Sequence, residues 1–133
     1  MFLIIYDIIL FGGDFMTLEQ IMKCKKFLVI GSTENKEKYA YKIKESLMEK
    51  GYIVNCVNKN NPISLINDEV EIIDLCINPI IGLSILKEYK DLKKVKAVLI
   101  QPGAESEEII EYLKEQNVDY LEGCALVGLA LYS

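Results

Sequence analysis

Two residue types are missing from this 133-residue sequence: it contains no histidine, and all 15 of its basic residues are lysine. Without histidine, a Ser-His-Asp triad, a Cys-His pair and a phosphohistidine are excluded, and a zinc site would need only cysteine and carboxylate ligands. Without arginine, planar two-point contacts to phosphate are excluded as well. The four cysteines include no C-x-x-C pair, so we predict no metal site and no catalytic residues.

The composition is that of an ordinary folded domain, with 51% hydrophobic and 26% charged residues. A length of 133 residues fits one domain. The net charge of -5 argues against nucleic acid and anionic membrane surfaces, because both attract basic proteins. We therefore expect a cytoplasmic protein with reduced thiols, no nucleic-acid partner and no membrane partner.

The first fifteen residues differ in character from the rest, because an apolar run broken by Asp7 leads into a Gly-Gly-Asp tripeptide. The run is shorter than the roughly 20 residues of a membrane span, and it lacks the basic start and cleavage site of a signal peptide. Codons for Gly-Gly-Asp can spell a bacterial ribosome-binding sequence just before Met16. We therefore expect residues 1–15 to be a non-native or disordered leader and 16–133 to be a single domain. The alternative is an extra strand or short helix against the core.

Short apolar runs alternate with amphipathic stretches along the rest of the chain. Runs typical of buried strands lie at 25–30, 52–57, 71–77, 96–100 and 118–121. Helical spacing or capping signals predict helices over 36–50, 80–92 and 107–116, before an apolar tail at 123–133. This alternation predicts an α/β fold with a small doubly wound parallel sheet of five strands, a Rossmann-like three-layer sandwich, and strand order 3-2-1-4-5.

The predicted ligand site lies at the carboxyl edge of this sheet, where the strand order reverses beside the first strand. That strand ends in Gly31-Ser32-Thr33, where a glycine allows close backbone approach and the following helix N-terminus offers N–H groups to phosphate. A strand-to-helix turn without a ligand is the alternative. Further loops should converge on the same edge at Asn58-Lys59, Asn78-Pro79 and Gln101-Pro102-Gly103.

Several short motifs follow one another in order over residues 18–128. They are Gly31-Ser32-Thr33 with Lys36 and Lys38, Gly51-Tyr52-Ile53-Val54, Val57-Asn58-Lys59, Asp74 to Pro79, Gln101-Pro102-Gly103 and Cys124. This set resembles the stand-alone coenzyme A-binding proteins of Rossmann-like fold, which are related to the CoA-binding domain of succinyl-CoA ligases. The sequence departs from the family pattern where lysine or isoleucine replaces arginine, at Lys38 and Ile77, and where lysine replaces proline, at Lys36 and Lys59.

The resemblance implies a site for coenzyme A (CoA) or a related adenine nucleotide. It implies that Gly31, Ser32 and Thr33 hold the pyrophosphate and that Lys36 and Lys38 compensate its charge. Asn58 and Lys59 would then border the adenosine, and Asn78 and Pro79 would form a further wall. Gln101 and Gly103 would line the pantetheine side. For the two lysines, a solvated helix face is the alternative interpretation.

The cysteines carry two separate expectations. Cys56 and Cys76 lie within predicted strands, which indicates inert core positions. The resemblance places a cysteine at Cys124, where two interpretations stay open: a thiol that meets the CoA sulfur in a mixed disulfide, or a small packing residue.

We therefore expect a non-catalytic CoA-binding protein with a regulatory or accessory role. One alternative is a small nucleotide-dependent enzyme, an oxidoreductase or one acting on acyl-CoA, with Tyr41, Cys124 and lysines as available proton donors. An NAD site is disfavoured because no acidic residue follows the second strand. The other alternative is a ligand-free interaction domain that forms a homodimer through Ala125–Leu129.

Overall fold

Five apolar runs form a five-stranded, all-parallel sheet in the computed structural model, which describes residues 15–133. The strands are, in chain order, β1 (Lys26–Gly31), β2 (Ile53–Val57), β3 (Ile72–Cys76), β4 (Ala97–Ile100) and β5 (Tyr120–Glu122). The helices are α1 (Leu18–Lys23), α2 (Tyr39–Glu49), α3 (Pro79–Glu88), α4 (Glu107–Glu115) and α5 (Ala125–Tyr132). These elements confirm the predicted α/β class, whereas all but the last residue of the predicted leader lies outside the described residues.

The strand order is β2-β1-β3-β4-β5, so the predicted order 3-2-1-4-5 is wrong. β3 pairs with β1 on the side away from β2 and therefore lies at the centre of the sheet. Burial explains the difference: residues 72–75 of β3 are all buried, whereas Ile53 of β2 is 56% exposed. A continuous buried run needs cover on both faces, and only a central strand receives it. The order still reverses beside β1, as predicted.

Two hydrophobic layers cover the two faces of the sheet. Helices α3 and α4 cover one face with Leu86, Ile109 and Leu113. Helices α1, α2 and α5 cover the other face with a second set of side chains, which includes Ile21, Met22, Ala40, Ile43, Leu47, Ala125 and Leu129. Alternate residues of each strand point into alternate layers, which is the reason for the near-continuous apolar runs. None of the helices within residues 15–133 is long and apolar enough to cross a bilayer.

The helix boundaries differ from prediction mainly at the start of α2, which begins at Tyr39 instead of residue 36. The chain makes turns between Ser32 and Lys38 first, with hydrogen bonds from Asn35 N to Ser32 O and from Lys38 N to Asn35 O. The spacing of the buried residues Ala40, Ile43 and Leu47 specifies the helix face but not the first helical residue. Helix α3 is also shorter than predicted and ends at residue 88.

The apolar tail forms helix α5, and much of it is part of the chain's own core. Ala125, Gly128 and Leu129 are buried, and a Cβ added to Gly128 would lie 2.8 Å from the Met22 side chain of α1. The predicted dimer patch is therefore wrong for these three residues. The glycine allows α5 to approach α1 closely, and this contact leaves Val127 and Leu131 exposed.

Candidate functional site

The site begins at Gly31, where β1 ends against β3 and α2. A Cβ at this position would lie inside van der Waals contact with the Cys76 carbonyl oxygen and 2.9 Å from the Ala40 Cβ. Only glycine therefore fits, because the blocking oxygen belongs to the backbone of the neighbouring strand. This close packing brings the turn after β1 and the N-terminus of α2 to the carboxyl edge of the sheet.

The N-terminus of α2 carries no side-chain cap. Its N-cap residue is Lys38, whose side chain cannot accept a hydrogen bond, and its first turn contains no acidic residue. By contrast, Thr17, Asn78 and Ser106 cap α1, α3 and α4 with side-chain oxygens. The positive end of the α2 dipole and the Lys38 ammonium therefore lie together, an arrangement that favours an anion.

A cleft of about 410 Å³ opens beside this helix N-terminus. Ser32, Lys38 and residues 39–40 line one side, and residues 76–78 and 102–104 line the other. The backbone of Gly103 has a φ of 92°, in the left-handed region that favours glycine. We call this the first cleft.

A second cleft of about 350 Å³ lies between the loops that follow β1 and β2. It shares Ser32 and Ile77 with the first cleft, so the two form a continuous surface along the carboxyl edge of the sheet. Its remaining lining residues are Gly31, Glu34, Asn35, Asn58 and Lys59.

Two side-chain hydrogen bonds join the two loops that form the second cleft. The Asn58 amide donates from Nδ2 to Thr33 Oγ1 at 2.8 Å, and the Asn60 amide donates to Glu34 Oε1 at 2.9 Å. Thr33 is 1% exposed, so its hydroxyl ties the loops together and does not face solvent. The cleft is therefore largely formed before any ligand binds.

The structure brings seven of the eleven predicted site residues to the two clefts: Gly31, Ser32, Lys38, Asn58, Lys59, Asn78 and Gly103. The other four are placed differently. Thr33 is buried beneath the second cleft, Lys36 is exposed in the turn before α2, and Pro79 lines a separate cleft of about 250 Å³ beside α4. The binding roles of all eleven residues stay predictions.

Gln101, the fourth of these residues, has a structural role that its sequence context did not indicate. Its side chain is 4% exposed, and its Oε1 accepts a hydrogen bond of 2.7 Å from the backbone N–H of Ala125. Gln101 therefore caps the N-terminus of α5 from the end of β4. Asn78 also has a capping role, because its Oδ1 accepts hydrogen bonds from the N–H groups of Ile80 and Ile81.

Several residues that line the clefts were not predicted from the sequence. Cys76 is the most important: it packs against the core, as predicted, but it is only partly buried and also lines the first cleft. It is the last residue of β3, and a position at the carboxyl end of a central strand was the signal that could have identified it. The other missed residues are Glu34, Asn35, Tyr39, Ala40, Ile77 and Ala104. Pro102 also lines the first cleft, and its loop was expected at this edge.

Two ionisable side chains of β3, the carboxyl of Asp74 and the thiol of Cys76, have raised pKa values. Asp74 is fully buried, and its two carboxylate oxygens have no hydrogen-bond partner among residues 15–133. Burial raises the pKa of the Asp74 carboxyl to about 8. Burial and then the negative charges of Asp74 and Cys124 raise the pKa of the Cys76 thiol to about 11. Both groups are therefore mainly neutral at pH 7.

The described part of the chain contains no cluster of three or more cysteine and carboxylate side chains that could hold a metal ion. The clefts instead offer Lys38, Lys59, the free N-terminus of α2 and polar loop groups. Such groups are chemically suited to an anionic ligand, because helix N-termini and lysines both offset negative charge.

The fold is a doubly wound α/β domain, and its two clefts lie at the carboxyl edge of the sheet where the strand order reverses, the usual position of ligand sites in this class. The family profile of the CoA binding domain matches residues 25–130. The chain belongs to this CoA binding domain family, which confirms the resemblance seen in the sequence. A search of curated protein sequences finds no match.

Solved structures with the same fold support this assignment. The chain is similar to a conserved hypothetical protein from Pyrococcus furiosus, with a TM-score of 0.67, 28% identity, and coverage of 78% of this chain and 98% of that chain. A crystal structure of an uncharacterized protein gives a TM-score of 0.66 and 30% identity over 80% and 96% of the two chains. A protein from Thermus thermophilus shares the fold alone, with a TM-score of 0.73 and 19% identity over 89% and 100%.

Proposed function

We propose that this protein binds coenzyme A, or a closely related adenine nucleotide, in the two clefts and acts as a regulatory or accessory protein without catalysing a reaction. The observation that carries the proposal is the uncapped N-terminus of α2, with Lys38 as its N-cap, at the edge of the first cleft in a CoA binding domain. The pyrophosphate binds there, because N–H groups and the ammonium together offset its charge.

The two clefts accommodate the two halves of the ligand on either side of this point. The adenosine binds in the second cleft, between the loops joined by Asn58 and Asn60. The pantetheine arm follows the first cleft, which extends toward residues 102–104. Because Ser32 borders both clefts, the pyrophosphate crosses between them at this residue.

Calorimetric titration with CoA tests the proposal, with ADP and NAD titrated separately to define the ligand. We expect Lys38→Met to weaken CoA binding roughly tenfold, since a hydrogen bond to a charged group contributes about 1.5–3 kcal/mol and 1.4 kcal/mol corresponds to tenfold. The matched control is Lys114→Met, which removes the same charge from the last turn of α4, away from both clefts.

A third variant separates the two lysines that the sequence offered for phosphate binding. Lys36 is exposed and lines neither cleft, so we expect Lys36→Met to change CoA affinity much less than Lys38→Met. Equal affinity of all three variants and the unmodified protein contradicts the proposed phosphate position. Absence of binding to every nucleotide contradicts the proposed function and supports an interaction domain.

A further inference from the structure

The first cleft contains a thiol that the proposed function does not use. Cys76 lines this cleft at the end of β3, on the sheet face that α2 and α5 cover. The opposite side of the cleft is the N-terminus of α2, where the pyrophosphate binds in our proposal. A CoA molecule with its pantetheine arm in this cleft therefore brings its sulfur to the side of the sheet that carries Cys76.

A second thiol, that of Cys124, lies directly before α5 and is connected to Cys76 through Gln101. The pair Leu75–Ile100 is the last in the β3–β4 register, so Cys76 and Gln101 follow as neighbours on the two strands. The Gln101 side chain holds the N–H of Ala125, and Cys124 directly precedes this residue. After burial and the charge of Asp74, the charge of Cys124 is the third cause that raises the pKa of the Cys76 thiol.

We propose that Cys76 and Cys124 form a dithiol that exchanges with a disulfide of CoA held in the first cleft, an inference that rests on the proposed function. The co-reactant is CoA disulfide, in which two CoA molecules share one S–S bond. No other oxidant or reductant is needed for this single exchange, which leaves the protein dithiol oxidised.

The exchange has two steps that balance. The Cys76 sulfur loses its proton and attacks the CoA disulfide, so a Cys76–CoA mixed disulfide forms and one CoA leaves as a thiolate that takes up a proton. The Cys124 sulfur then loses its proton and attacks the Cys76 sulfur. A Cys76–Cys124 disulfide forms, and the second CoA leaves and is protonated. One CoA disulfide is reduced to two CoA thiols, and the protein dithiol is oxidised.

The environment of Cys76 determines how this exchange depends on pH. Because burial raises the pKa of its thiol, only a small fraction is the reactive thiolate at neutral pH. The first step therefore speeds up about tenfold per pH unit below that pKa, since the thiolate fraction rises by this factor. The mixed disulfide joins Cys76 to CoA, and of these two thiols the one with the lower pKa leaves faster. Because the pKa of Cys76 is raised, CoA is the better leaving group, so Cys124 attacks the Cys76 sulfur and CoA is released.

Mass spectrometry of the intact, reduced protein after mixing with CoA disulfide tests the inference. We expect the unmodified protein to lose two hydrogens and to release two CoA thiols. We expect Cys124→Ser to stop after the first step, with one CoA bound through Cys76. Cys76→Ser and Cys76→Ala should not react at this site. The matched control is Cys24→Ser, because Cys24 lies near the start of β1, away from both clefts, and this variant should react like the unmodified protein.

Three results would overturn the inference: an adduct on Cys24 or Cys56 instead of Cys76, an equal rate with glutathione disulfide, or no adduct in Cys124→Ser. Calorimetry with reduced CoA on the same samples separates this inference from the proposed function. Binding without exchange overturns the dithiol alone, whereas absence of CoA binding overturns the proposed function as well. Circular dichroism of the Cys76 variants confirms that loss of exchange is not loss of folding.

Discussion

Replacing Asp74 by asparagine should change the pH dependence of the protein's stability. The Asp74 carboxyl is fully buried in β3, where Val29 and Leu99 are its register partners on the two neighbouring strands. Burial raises its pKa from 3.8 to about 8. Between these two pH values the carboxyl is protonated in the folded protein and ionised in the unfolded chain, so the folded state binds more protons and loses stability as pH rises.

The size of this effect follows from the two pKa values. Within this window the free energy of unfolding falls by about 1.4 kcal/mol for each pH unit because of Asp74 alone. Asp74→Asn keeps the size of the side chain and removes its ionisation. The stability of the variant relative to the unmodified protein should therefore increase by roughly 4 kcal/mol between about pH 5 and about pH 8, and should be constant above that.

Urea denaturation followed by circular dichroism, repeated at each pH, measures this difference. The comparison with the unmodified protein cancels contributions of the other carboxyl groups. Asp68→Asn is the matched control, because Asp68 is exposed in the segment before β3, and its difference from the unmodified protein should stay small throughout. A difference for Asp74→Asn that does not change with pH would refute the argument that this carboxyl is buried with no hydrogen-bond partner among residues 15–133.

Four further variants test the packing and charge of the site. Gly31→Ala should lower the free energy of unfolding by about 3 kcal/mol or more in urea denaturation, because the added Cβ would meet the backbone of β3. Gly103→Ala should lower it by only about 1 kcal/mol, since the added Cβ has open space around it and only the left-handed backbone is strained. Glu34→Gln should tighten CoA binding about two- to fivefold in low-salt calorimetry, with the gain lost at high salt, because it removes a negative charge from the second cleft and keeps an acceptor for Asn60. Gln101→Leu should lower the melting temperature, because loss of the acceptor for the Ala125 N–H costs about 1–3 kcal/mol. Unchanged affinity for Glu34→Gln, or unchanged stability for Gly31→Ala or Gln101→Leu, would contradict the corresponding contact.

The strands and their edge could be predicted from the sequence because their signals are local. The apolar run that ends at Gly31 has the length and the uninterrupted hydrophobicity of a buried strand, and a glycine ends it. All three signals lie within a few residues of one another. The strand order could not be predicted in the same way. β2 and β3 are both short and apolar, and their positions depend on which faces the helices cover, which is a property of the whole domain.

The candidate site shows the same limit at the level of single side chains. Gly31 and Lys38 could be predicted, because a strand end and a helix start suffice to place them at the edge of the sheet. The capping role of Gln101 could not be predicted, since this residue lies 24 positions before Ala125, from whose N–H it accepts a hydrogen bond. For Cys76 the strand position predicts burial, because strand residues of such a sheet are usually covered. Its partial exposure depends on where α2 and the turn after β4 leave space, which the local sequence does not show.

The position of α5 also determines where another protein can be joined to this domain. The two helices pack together through Gly128 and Met22, so the first and last described helices are neighbours in space. The C-terminal end of α5 lies beside Ser46 and Lys50 at the end of α2, at the edge of the sheet opposite the clefts. A fusion partner attached after Ser133 would leave the clefts accessible.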